Sequence, residues 1–166
     1  HMTDSQILSC LVALHANQDQ GRLLQVATGE GKSTIVSVLA IINGLKGKKV
    51  DIITSSPVLA ERDAKEKAGL YKIFGLSCAD NNDKSVYIKG TKDCYKKDIV
   101  YGEAAQFQFD SLRDEYSLLG TLANRKCEVA IVDEVDSMLL DEGAKITKLS
   151  SPRPGVEYLA PIFLLT

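Results

Sequence analysis

Val26-Ala27-Thr28-Gly29-Glu30-Gly31-Lys32-Ser33 is the stretch on which the reading of this chain turns. Two glycines, a lysine and a hydroxyl stand where phosphates could be held. Arg22 to Ala27 before it reads as a short apolar strand, and after it Ile35, Val36, Leu39, Ile42 and Leu45 recur at helical spacing. A strand that turns through such a loop into a helix aims backbone N–H groups and the positive end of the helix dipole at one small volume. Gly29 and Gly31 allow positive φ and a close backbone approach to phosphate oxygens. Lys32 adds a charge toward the β- and γ-phosphates, and the Ser33 hydroxyl suits one coordination position on Mg²⁺. The strict pattern G-x-x-x-x-G-K-[ST] wants glycine where Val26 stands, and a Gly-x-Gly-Lys-Ser run also serves as a flexible turn with a helix cap. A second motif has to decide.

That motif lies roughly a hundred residues further on. Cys127 to Val132 is the most strand-like run in the chain and ends in Asp133-Glu134-Val135-Asp136. Carboxylates at the C-terminal end of a buried parallel strand open into the same crevice as a glycine-rich loop after a neighbouring strand. Asp133 is then suited to hold Mg²⁺ and Glu134 to orient and deprotonate an attacking water. Acids at a helix N-terminus also interact well with the dipole without any chemistry. Two such motifs, each after an apolar strand, favour nucleotide binding over either bland reading.

The rest of the chain fits an alternation of strands and helices. Thr3-Asp4-Ser5-Gln6 has the form of a capping box and predicts a short amphipathic helix to about His15, followed by a polar loop over 16–21. Lys49 to Thr54 reads as a buried strand, and Pro57 introduces a helix over Val58 to Ala68. Leu70, Ile73 and Phe74 look helical, and Ser85 to Lys89 looks like a strand. Asp98 to Gly102 reads as a strand, and Glu103 to about Leu119 as a helix with Phe107, Leu112 and Tyr116 among its apolar positions. The pattern predicts an α/β domain with a mostly parallel sheet covered by helices on both faces.

Composition sets the outer limits. At 166 residues the chain suits one domain, and 45% apolar with 25% charged residues is ordinary for a globular protein. A formal net charge of −2 gives no broad nucleic-acid or anionic-membrane footprint. Cys10, Cys78, Cys94 and Cys127 form no C-x-x-C pair, so neither zinc nor a disulfide framework is suggested, and reduced thiols in a cytoplasmic setting are expected. No apolar run approaches the roughly 18 residues that span a bilayer, no signal peptide is visible, and His1-Met2 reads as a cloning remnant.

Several motifs in order resemble the SecA preprotein translocase ATPases, specifically the first nucleotide-binding, DEAD-like domain of their motor. Thr28-Gly29-Glu30-Gly31-Lys32-Ser33 resembles that family's T-G-E-G-K-T, in which the position of Val26 is likewise not glycine. Asn43 to Thr54 resembles N-A-L-x-G-K-x-V, and Leu59 to Ala64 resembles L-A-x-R-D-A. Asp98 to Gly102, Phe109 to Asp114 and Val132 to Ser137 resemble D-I-T-Y-G, F-D-Y-L-R-D and V-D-E-V-D-S.

The resemblance implies a three-layer RecA-like P-loop NTPase domain over 3–142, with 143–166 a linker or the start of the next segment. It implies ATP and Mg²⁺ as ligands. Thr28, Gly29, Glu30, Gly31, Lys32, Ser33 and Thr34 would bind nucleotide, Ser33 and Asp133 metal, with Lys32 and Glu134 catalytic. Gln6 falls on the glutamine that such proteins use to recognise adenine, alongside its capping role. It also implies a second RecA-like domain supplying arginine fingers, a fragment of a longer motor that alone hydrolyses ATP poorly, and unfolded polypeptide and a membrane channel as partners of a cytoplasmic, membrane-peripheral protein. Two segments depart from the family pattern: Glu103-Ala104-Ala105-Gln106 stands for T-N-N-E, and Glu142-Gly143-Ala144-Lys145 for E-A-R-T. A helicase motor, with nucleic acid as partner, and a nucleotide-sensing module without hydrolysis are the alternatives.

Overall fold

The computed structural model describes residues 2–15, 21–83, 90–136 and 138. Helix α1, Asp4–Leu14, begins at Thr3, whose hydroxyl accepts from the Gln6 N–H while the Gln6 side chain accepts from the Thr3 N–H. Helix α2 is Lys32–Leu45, strand β1 Val50–Thr54 and helix α3 Pro57–Ile73, with Pro57 in its first turn and Ser56 capping it. Strand β2, Cys78–Asp80, and a 3-10 turn, Asp93–Lys96, precede strand β3, Ile99–Glu103. Helix α4, Ala104–Ser117, and strand β4, Val129–Val132, complete the described elements.

The four strands form a parallel sheet in the order β2-β3-β1-β4. Alternation along β3 sends Ile99 and Tyr101 to one face and Val100 to the other. On the first face they pack with Val50, Ile52, Ala40, Ile41, Ala60, Ala64 and Tyr71, so α2 and α3 cover it. On the second, Val100 packs with Cys94, Tyr95, Phe107 and Leu122 beneath α4. The expected three-layer α/β architecture, a parallel sheet between two helical layers, is therefore present. A smaller cluster of Cys10, Ile35 and Leu39 fastens α1 to α2, with Val26 and Ile131 against it.

Three local departures from the sequence reading have physical causes. Residues 22–27 are not a strand: none of them joins the sheet ladder, and Leu23 is 82% exposed. An apolar run becomes a strand only with a neighbour to pair with, and here Val26 packs on the α1–α2 cluster instead. Strand β2 and the 3-10 turn were not foreseen, because three or four residues carry no readable period. Helix α3 runs five residues beyond the expected end, taking in Leu70 and Ile73. The strand expected over Ser85 to Lys89 lies outside the described residues, as do the loop over 16–20 and the segments 139–142 and 143–166.

Charge is buried where it fixes the layers. Asp51, the second residue of β1, pairs with Arg125 from the loop before β4, whose guanidinium also donates to the carbonyls of Val50, Lys97 and Asp98. On the α4 side, fully buried Asp110 accepts from Lys92 Nζ at 2.8 Å, Tyr95 OH at 2.7 Å and Gln106 Nε2 at 2.9 Å. The buried residues of α4 are thus Asp110 and Arg113, whereas Tyr116, expected on its apolar side, is 70% exposed. Gly102 lies so close to the buried Asn81 side chain that a Cβ there would overlap it, which explains a glycine at the end of a strand.

Candidate functional site

The glycine-rich loop leads directly into α2. Gly29 has φ +90° and Gly31, the N-cap residue of α2, φ +76°, a conformation that costs a side-chain-bearing residue about 1–2 kcal/mol. No side chain caps α2, so its first N–H groups and dipole face outward at the loop. The loop closes on itself through Glu30 N–H to Ala27 O at 3.2 Å and Thr34 N–H to Gly31 O at 2.9 Å. Residues 28–31, Ser33 and Thr34 are exposed, and Lys32 is half-buried. This is the geometry of an anion site.

Gln6 reaches the same loop. Its Nε2 donates to Glu30 O at 3.0 Å while its Oε1 closes the α1 cap, and a Cβ on Gly31 would overlap Nε2. The two roles considered for Gln6 therefore meet in one side chain: it completes the cap and ties α1 to the loop. Both ends of its amide are engaged within the chain.

At the adjoining strand ends, the ladder between β1 and β4 continues one step past Val132, with Asp133 N–H donating to Ile53 O at 2.9 Å. Glu134 then takes a left-handed backbone, φ +58°, and Met138 N–H donates back to its carbonyl, opening a helical turn. Burial pushes the Asp133 carboxyl above the ordinary carboxylate range, the neighbouring Glu134 charge pushes it the same way, and Lys32 opposes both. Lys32 and Asp133, more than a hundred residues apart in sequence, are thus near enough for the lysine charge to act on the carboxylate. Glu134 is exposed and accepts from the Ser55 hydroxyl at 3.1 Å.

The donor set suits a magnesium–nucleotide pair. Among the described residues no group of three or more His, Cys, Asp or Glu side chains could hold a metal by itself. Mg²⁺ characteristically takes only one or two protein ligands and completes its shell with water and phosphate oxygens. A half-buried carboxylate held above its ordinary range beside a second acid is a position that a cation relieves.

Comparison with known proteins decides the family. A family model of the SecA DEAD-like domain matches residues 1–158. The chain belongs to this family. It is 35% identical over 150 residues to the protein translocase subunit SecA of Amoebophilus asiaticus, covering 90% of this chain and 13% of that protein. It is 40% identical over 143 residues to the same subunit of Nitrosococcus oceani, covering 84% of this chain and 15% of that one. Against the Clostridium botulinum subunit it is 39% identical over 140 residues, covering 84% and 16%. The chain therefore spans about a sixth or less of the length of these curated SecA relatives. Among the described residues, no helix is long and apolar enough to cross a membrane.

The four cysteines are free thiols. Cys10 and Cys94 are buried, and burial pushes the Cys78 and Cys94 thiols up to about 12, which suits inert packing groups. Sequence reading missed Ser55, which falls between the two motif segments that flank it. Its register beside Glu134 follows only from the pairing of β1 with β4.

Proposed function

We propose that this SecA DEAD-like domain binds ATP·Mg²⁺ and forms one half of a motor ATPase that couples hydrolysis to polypeptide movement. The uncapped N-terminus of α2 and the N–H groups of Gly29, Gly31, Lys32 and Ser33, which the loop's own hydrogen bonds leave open, receive the phosphates. Lys32 lies on the β- and γ-phosphates, and Gln6 fixes the loop through Glu30, close to where an adenine would enter. Ser33 and Asp133 would hold Mg²⁺, which when bound neutralises phosphate charge and orients the γ-phosphoryl group. Glu134 takes the proton of the attacking water as its oxygen bonds to the γ-phosphorus and the bond to the ADP oxygen breaks.

The single observation that carries this reading is the uncapped, glycine-led start of α2, whose Lys32 charge acts on Asp133 just past the end of β4. Families of this type complete the site with a second RecA-like domain that contributes arginines, so turnover by these residues alone should be weak. The name of the relatives, protein translocase subunit, supports polypeptide as the client. Glu134→Gln tests the assignment of the base: in the full-length protein it should abolish ATP turnover and leave ATP affinity intact. Retained turnover would remove Glu134 from that role.

A further inference from the structure

Strands β1 and β4 are parallel neighbours with Ile53 opposite Val132. Asp133 N–H extends that ladder to Ile53 O, so two residues past the last pair Ser55 and Glu134 stand side by side at the C-terminal ends of the strands. Their contact is a direct hydrogen bond, Ser55 Oγ to Glu134 Oε2 at 3.1 Å. The backbone is unusual there as well: Glu134 takes a left-handed conformation at φ +58° that non-glycine residues rarely adopt.

We infer that Ser55 is a positioning residue for Glu134, its hydroxyl holding Oε2 so that Oε1 is left to accept the proton of the attacking water. This rests on the reading of Glu134 as the base. An exposed carboxylate on a two-carbon stem samples several rotamers, and only some present an oxygen to water in line with the γ-phosphorus. One hydroxyl from an adjacent, rigid strand end selects among them. Ser55 need not touch nucleotide, so its contribution falls on the chemical step and not on ATP binding. Ser56, one residue on, serves the fold instead, its hydroxyl accepting from Leu59 N–H to cap α3.

The test is steady-state ATP turnover by the full-length protein carrying Ser55→Ala, Ser55→Thr, Glu134→Gln or the Ser55→Ala/Glu134→Gln pair, with thermal melting of each. Ser55→Ala should lower kcat roughly tenfold with KM for ATP within about twofold and an unchanged melting profile, as for a lost orienting contact. Ser55→Thr, which keeps the hydroxyl, should recover most of the rate, and Ser55→Ala should cause no further loss when Glu134 is already Gln. Wild-type kcat in Ser55→Ala overturns the inference, as does a loss that Ser55→Thr fails to restore or one that falls on KM. The two readings separate cleanly. If Glu134→Gln turns over ATP, the base assignment fails and the Ser55 inference with it; if Glu134→Gln is inactive while Ser55→Ala is not impaired, only the role of Ser55 fails.

Discussion

Substituting Gly31 by alanine strikes the loop at its most constrained point. A Cβ there must adopt φ +76°, costing about 1–2 kcal/mol, and would overlap the Gln6 amide nitrogen. Gln6 would have to withdraw, giving up its hydrogen bond to Glu30 O, worth about 1 kcal/mol net. The expected destabilisation is therefore about 2–3 kcal/mol. Gln6→Ala alone should cost about 1–2 kcal/mol, because it removes both the Glu30 contact and the return half of the capping box. The same Glu30 contact is lost in each single variant, and removing the Gln6 amide also removes the overlap. The double variant should thus be less destabilised than the two singles added together, by about 1 kcal/mol in a urea-denaturation cycle. Strict additivity, or a Gly31→Ala protein as stable as the parent, would refute the claim that Gln6 and the loop are mechanically joined.

Two further outcomes test the buried and surface charges. Lys92→Met leaves Asp110 buried without its cation and should cost about 3–5 kcal/mol in equilibrium unfolding, while a loss under about 1 kcal/mol would show that Tyr95 and Gln106 suffice to hold the carboxylate. Burial pushes the Asp98 carboxyl up, but hydrogen bonds from Lys49 and from Ser77 together outweigh it and bring it from 3.8 to about 2. A depressed carboxylate stabilises the fold above its unfolded value and loses that contribution as pH falls through its folded value. With a third of the side chain exposed, that contribution is about 1 kcal/mol at neutral pH. Asp98→Asn should therefore be the less stable protein at pH 7, with the difference shrinking as pH falls toward about 2 and vanishing below it; a difference independent of pH would contradict the ion pair as its source.

The part of the fold read correctly from sequence was the part with long or chemically marked signals. Helix α2 has five apolar residues at helical spacing, β1 and β4 are runs of branched residues, and Thr3 with Gln6 spells out its own cap. These are local properties. What escaped depends on partners distant in the chain. Asp51 inside a strand is intelligible only once Arg125, 74 residues away, is beside it. Helix α4 buries Asp110 because a lysine and a tyrosine at the 3-10 turn before β3 supply the hydrogen bonds that burial demands, something no apolar period records. Residues 22–27 failed as a strand for the converse reason: their apolar character was visible, but their lack of a pairing neighbour was not. The candidate site shows the same division. Its two halves, loop and acidic strand end, were each readable, whereas Ser55 became visible only through strand register.

The most direct measurement of the central claim is titration calorimetry of this chain with ATP in the presence of Mg²⁺, for the unsubstituted protein and for Lys32→Ala. Loss of a charged contact to phosphate is worth about 2 kcal/mol, so affinity should fall roughly 30-fold in the variant. Absence of binding by the unsubstituted chain, or an unchanged Kd in Lys32→Ala, would contradict the reading of Thr28 to Ser33 as a nucleotide phosphate site.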